Sequence, residues 1–295
     1  MRRLFLIGLP YLWLLLFFLV PFATVLRLAL SDADLAIPPY TPRWETPGWA
    51  GLRDVIAGWD LENFVWLTGD PLYYRAYLSS LWIAAVATVL TVLVAYPIAW
   101  SMAQASPRWR TVLVLLVILP FWTSFLIRVY AWIGILSNEG LLNQVLMAVG
   151  LISDPLIILN TNTAVYIGIV YTYLPFAVLP IYANVERMDP ALLEAACDLG
   201  CSRLEAFWRV VIPLSIPGLL AASFLVFIPT VGEFIIPSLL GGSDTLMIGR
   251  VLWDEFFANR DWPVASAVAI VLLVLLIVPI VLFQRQAQRQ REAEQ

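Results

Sequence analysis

Glu186–Pro213, ERMDPALLEAACDLGCSRLEAFWRVVIP, is the one sizeable polar island in the second half of the chain, and it separates two long apolar runs. The stretch reads as two short helices. Asp189 suits the N-cap of the first, Pro190 its first helical position, and Gly200 its C-terminal turn. Ser202-Arg203-Leu204-Glu205 forms a capping box that opens the second helix, expected to run to Pro213. On the first helix Leu192, Ala195, Ala196 and Leu199 share one face, while Glu194 and Asp198 share the other. An amphipathic helix displayed between apolar runs is offered to a partner.

Composition explains those runs. Of 295 residues 61% are apolar and the mean hydropathy is +0.86, too hydrophobic for a soluble domain and suited to several membrane spans. The 17 cationic side chains are all arginine, with no lysine and no histidine. Without lysine there is no standard P-loop, and without histidine no Ser-His or Cys-His pair and no His-based zinc site. No catalytic residue and no metal ligand set is therefore expected. Cys197 and Cys201 flank the turn of the polar island and read as small helix-packing residues. A DNA-binding helix-turn-helix is disfavoured, because the island carries five acids against three arginines.

The fold expected is an all-α integral membrane protein, one transmembrane domain over 1–295. Spans of about 20 residues are expected at about 4–25, 77–102, 112–135, 164–183, 216–240 and 264–283, which puts both termini on one side. A polar stretch over 31–75, rich in Pro and Trp, forms the largest outer loop. The apolar piece Leu141–Ile152 is too short to cross and is assigned to an outer-surface or re-entrant helix. With the termini inside, the inner segments hold ten arginines and the outer ones six, so the positive-inside rule makes the termini and the loop at 186–213 cytoplasmic. The outer segments then carry thirteen acids, a surface that concentrates cations.

Two charges interrupt apolar runs, Arg128 and Glu233. An intramembrane charge is a functional hypothesis by default. Counting from the inner ends of their spans places both roughly 25 Å up, at 1.5 Å per residue. One reading pairs them with each other. The other turns Glu233 to a transport pathway, lined by Trp122, Tyr130, Tyr171 and Tyr173, where it meets a cation.

The spacing of the polar island resembles the EAA loop of ABC importer permeases: Glu194-Ala195-Ala196, three residues, Gly200, nine residues, then Val210-x-Ile212-Pro213. Longer runs resemble the polyamine importer permeases, most of all the putrescine-type members. They are AIPPYT (36–41), DPLY (70–73), ILPFWTSFLIRVYAW (118–132), AVYIGIVY (164–171), GEFIIPSLLGG (232–242), IGRVLWDEFF (248–257) and RDWPVASAVAI (260–270). The resemblance implies a type I ABC importer permease in the cell inner membrane, multi-pass in the lipid bilayer. The implied partners are a homologous second permease, two cytoplasmic ATPase subunits that hold ATP and Mg, and a periplasmic polyamine-binding protein. It implies no cofactor in this chain, no enzyme activity of its own and no nucleic acid. The loop residues Asp189, Leu192, Glu194, Ala195, Ala196, Gly200 and Pro213 are then the ATPase-coupling set. Alternatives are a related permease for spermidine or for iron- or sulfate-type cargo, and an ion-driven secondary transporter. The latter calls for a midplane ion site and inverted repeats, and the sequence displays neither.

Overall fold

The computed structural model describes residues 2–44 and 48–293. In chain order the helices are α1 (Arg2–Leu14), α2 (Val20–Ala29), α3 (Trp49–Ala57), α4 (Glu62–Gly69), α5 (Pro71–Gln104), α6 (Pro107–Ile118), α7 (Phe125–Leu136) and α8 (Leu141–Ala148). Then come α9 (Asn162–Val185), α10 (Pro190–Asp198), α11 (Arg203–Ala206), α12 (Ile212–Val231), α13 (Ile235–Leu240), α14 (Ile248–Trp253) and α15 (Trp262–Ala293). A minimal antiparallel hairpin, β1 (Asp32–Ala33) and β2 (Tyr40–Thr41), pairs Asp32 with Thr41.

Among the described residues, five stretches are long and apolar enough to cross a membrane: Ile7–Ala29, Pro71–Gln104, Phe125–Ala148, Asn162–Val185 and Arg203–Val231. Trp262–Ile277, at the start of α15, is a shorter apolar helix. Helices lie over the expected spans at 4–25, 77–102 and 164–183, but two other expected spans are divided. The one at 112–135 breaks where α6 passes into a 3₁₀ turn, Leu119–Trp122, and then an extended Thr123. Pro120 removes a helical donor there, and its carbonyl is taken by the Thr123 hydroxyl at 2.8 Å. The one at 216–240 stops at Val231 and resumes at Ile235. The second loop helix, in turn, does not end at Pro213. A π-helical turn, Phe207–Val211, carries α11 into α12 with Pro213 in its first turn, where a missing N–H costs least.

The chain divides into two compact units, Met1–Tyr77 with Ile248–Gln295, and Leu78–Met247. In the first, α15 packs on α2 and α4, and Ala29, Leu67, Val264, Ala265 and Val268 of these helices are buried. Buried Asn63 donates to the carbonyls of Ala29 and Ser31 at 3.1 and 2.8 Å, fastening α4 to the end of α2. The Tyr77 hydroxyl donates to the Val268 carbonyl at 2.7 Å. From Leu9 to Val20 the first helix is exposed on every side, which suits a helix solvated by lipid.

The second unit is organised around α9, which packs on α12, α13, α7 and α6. Between helices in lipid there is little hydrophobic drive, so close approach of small residues matters. A Cβ on Gly218 of α12 would lie 2.6 Å from Cβ of Asn184, and one on Gly168 of α9 would lie 2.6 Å from Cδ1 of Leu240. These two glycines let α12 and α13 close on opposite ends of α9. Asn143, fully buried in α8, donates to the carbonyls of Ser137, Asn138 and Leu156 and accepts the Leu156 N–H at 2.9 Å. One amide side chain thereby holds the connection on both sides of α8.

Candidate functional site

The polar island folds by local chemistry. The Asp189 carboxylate accepts the Ala191 N–H at 2.9 Å, and Pro190 opens α10. Gly200 takes φ +94°, a left-handed conformation that ends α10 with Gly200 N–H bonded to Cys197 O and Cys201 N–H to Ala196 O. The capping box is complete: Ser202 Oγ accepts from Glu205 N–H at 3.3 Å, and Glu205 Oε2 accepts from Ser202 N–H at 2.9 Å.

The face α10 covers within this chain is Leu193, Ala196 and Cys197. Of the apolar face expected to be offered to a partner, Ala196 is buried within the chain, while Leu192 is 48% and Leu199 87% exposed, and Ala195 is exposed too. Glu194 also points outward. Beside this helix lies a cleft of about 630 Å³ lined by Trp100, Gln104, Leu193, Glu194, Cys197 and Phe207 among others. The helix therefore presents an uncovered apolar strip with carboxylates at its side. Pro213 stands apart from it, inside the start of α12.

A second cluster surrounds Glu233, 9% exposed, in the gap between α12 and α13. Its Oε2 accepts the Tyr173 hydroxyl at 2.7 Å, and its Oε1 accepts the Ile235 N–H at 3.1 Å, capping α13. Gly232, at the C-cap of α12, ends that helix and leaves the carboxylate at the start of the next one, where the helix dipole favours a negative charge. Arg128 is not its partner. Among the described residues the ion pairs are Arg43–Asp34 and Arg110–Glu186, and Arg128 enters neither. Its Nε and Nη1 are buried without an acceptor, while the guanidinium sits over the rings of Phe121 and Phe125 at 5.5 and 5.8 Å.

Aromatic contacts nonetheless join the two charges. Phe121 meets Phe176 edge-on at 5.0 Å, and Phe176 lies 6.0 Å from Tyr173, whose hydroxyl reaches Glu233. Of the other aromatic residues expected here, Tyr171 is half-buried edge-on to Trp132 at 5.3 Å. Trp122 and Tyr130 are 78% and 58% exposed and stand outside the chain of contacts. Sequence reasoning missed Phe121, Phe125 and Phe176. Phe125 is three residues from Arg128 on α7, a spacing that alone brings ring and cation together.

In the first unit Asp32, Asp60 and Glu62 bring carboxylate oxygens within 4.8 Å of one another, all three exposed. Burial, and then the charge of Asp60, raise the pKa of Asp32 above its usual value.

The described residues are mostly helical and include five stretches of crossing length, which is the build of a multi-pass membrane protein. The chain belongs to the family of binding-protein-dependent transport system inner membrane components, whose model matches residues 4–292. It is similar to a spermidine/putrescine transport system permease protein PotB of Haemophilus influenzae, 38% identical across 90% of this chain and 87% of the relative. The PotB protein of Escherichia coli is 44% identical across 72% of this chain and 77% of its own length. In structure the chain resembles one in a bacterial alginate ABC transporter complexed with an alginate-bound periplasmic protein, with TM-score 0.71, 18% identity, and 98% and 96% of the two chains covered. That likeness shows a type I importer permease fold.

Proposed function

We propose that this chain is a membrane-spanning permease subunit of an ATP-driven importer of polyamines, putrescine first among them. It crosses the membrane six times with both termini in the cytoplasm. Its α10 docks on a separate ATPase subunit that holds ATP and Mg, and a second, homologous permease completes the pathway. A periplasmic polyamine-binding protein delivers the cargo. Closure of the ATPase dimer pushes on α10 and opens the spans outward; hydrolysis returns them inward. This chain performs no hydrolysis itself.

The uncovered strip of Leu192, Ala195 and Leu199 on α10 carries the coupling reading, since it leaves apolar surface beside carboxylates with no cover from its own chain. The names of the relatives from H. influenzae and E. coli support the polyamine cargo. Glu233 with Tyr173 and neighbouring rings suits an ammonium group, which both a carboxylate and an aromatic face attract. The test is uptake by the reconstituted assembly with its binding protein, using labelled putrescine, spermidine, sulfate and ferric ion. Putrescine uptake that requires ATP and the binding protein is expected. Uptake driven by a proton or sodium gradient without ATP would refute the reading, and preference for another cargo would move the chain to a sister importer.

A further inference from the structure

We propose that Arg110 is a positioning residue that clamps the base of α10 to the turn between α5 and α6, so that force on α10 reaches three membrane helices together. The inference rests on the reading of α10 as the ATPase-facing helix. Arg110 lies in the first turn of α6, and its guanidinium is divided among three places. Nη2 donates to the Ala103 carbonyl at 2.8 Å, Nε to the Ala105 carbonyl at 2.8 Å, and Nη1 to Oε1 of Glu186 at 3.2 Å. The first two acceptors flank the end of α5 at Gln104, where carbonyls lack helical partners and carry partial negative charge. The third is the C-cap residue of α9, whose own N–H bonds the Tyr182 carbonyl at 2.8 Å.

Asp189, the N-cap of α10, follows Glu186 by three residues, and between them Met188 packs against the core. The tether from clamp to displayed helix is therefore short and anchored. Both side chains of the ion pair are about a third exposed, 34% and 37%, so the pair adds little to stability by itself. Its value lies in geometry. A planar fork with donors in three directions joins α5, α6 and α9 at one point, and a lysine ammonium on a flexible stem does not reproduce that fork. Without it, α10 can tilt on Met188 while α5 and α6 stay behind.

The full assembly, reconstituted in proteoliposomes, tests the clamp with Arg110→Ala, Glu186→Ala and the double variant. The readout is the ratio of binding-protein-stimulated to basal ATP hydrolysis, together with cargo moved per ATP. Each single variant is expected to lower the ratio about tenfold, because either one cuts the charge-assisted link between α9 and the turn joining α5 to α6. The double variant should fall no further than the worse single, because both remove one link. Arg110→Lys and Glu186→Gln, milder at both ends, should fall between parent and the alanine variants, and they serve if the alanine proteins fail to assemble. Unchanged ratios, additive losses in the double variant, or lower abundance with the ratio intact would each overturn the clamp. A parent assembly that shows no stimulated hydrolysis removes the ATPase-coupling reading first, and the clamp with it.

Discussion

The Tyr173 hydroxyl donates to Oε2 of Glu233 at 2.7 Å, across 60 residues of sequence, and so ties α9 to the break between α12 and α13. The carboxylate's other oxygen caps α13. Both oxygens are held by neutral donors, which leaves the negative charge without a countercharge from Arg128.

Glu233→Gln keeps the side-chain shape and removes that charge. At an effective dielectric near 20, a charge pair 4 Å apart is worth about 4 kcal/mol before desolvation. A residual third of that is about a tenfold change. Uptake normalised to protein level should fall about tenfold with abundance preserved, and Tyr173→Phe should fall less. Adding Arg128→Gln to Glu233→Gln should restore nothing. Recovery of both transport and abundance in that double variant would show that the charge served only Arg128.

Gly200→Val forces a β-branched residue into φ +94°, at a cost of about 1–3 kcal/mol. The turn that aims α10 should distort while the spans still insert. Uptake is expected to drop severalfold at normal membrane abundance. Full uptake would make the loop a passive connector.

A reporter active only in the cytoplasm should give signal when fused after Ser202 and none when fused after Gly242. The opposite pattern reverses the proposed orientation and withdraws α10 from any cytoplasmic ATPase.

Asp261 caps α15 by accepting the Val264 N–H at 2.9 Å. Burial first, and then the charge of Glu255, raise its pKa above 3.8, outweighing the lowering effect of that hydrogen bond. The folded state therefore binds this proton more tightly than the unfolded chain does. The stabilising contribution is full below about pH 3.8 and is lost as pH rises through the elevated folded value. Asp261→Asn keeps a capping oxygen and removes the charge. Its Tm in detergent should exceed that of the parent at pH 7 and converge with it near pH 4. A lower Tm at pH 7 would mean that the charge itself is stabilising.

The loop was legible because its chemistry is local. Asp189, Gly200 and the Ser202–Glu205 pair each act within two to five residues, so spacing alone announces them. The α-helical class followed from composition for a similar reason, since lipid tolerates few backbone arrangements. What spacing does not carry is partnership at a distance. The sequence offers Glu233 both Arg128 and a set of aromatic residues that includes Tyr173, and the choice between them depends on how α9 meets α12 and α13. Helix continuity was misread at Pro213 and Pro120 for a related reason. Whether a proline bends, ends or is absorbed depends on a neighbouring hydroxyl or a widened turn, as Thr123 and Phe207–Val211 show. Likewise, amphipathicity marks Leu192, Ala195 and Leu199 as a face offered to a partner, but it does not announce that Leu193, half-buried, turns toward its own chain.

The bare flank of the first helix makes membrane thickness a variable for that segment. Ile7–Ala29 contains 23 residues, and at 1.5 Å per residue it extends about 35 Å against a hydrocarbon layer of roughly 30 Å. With side chains from Leu9 to Val20 uncovered by the rest of the chain, little protein packing sets its inclination there. The excess length is then relieved by tilting, and the tilt should follow acyl-chain length when the protein is moved between lipids. At the other end of this segment α2 packs on α15, and the buried Ala29 is held by Asn63, so that end is anchored.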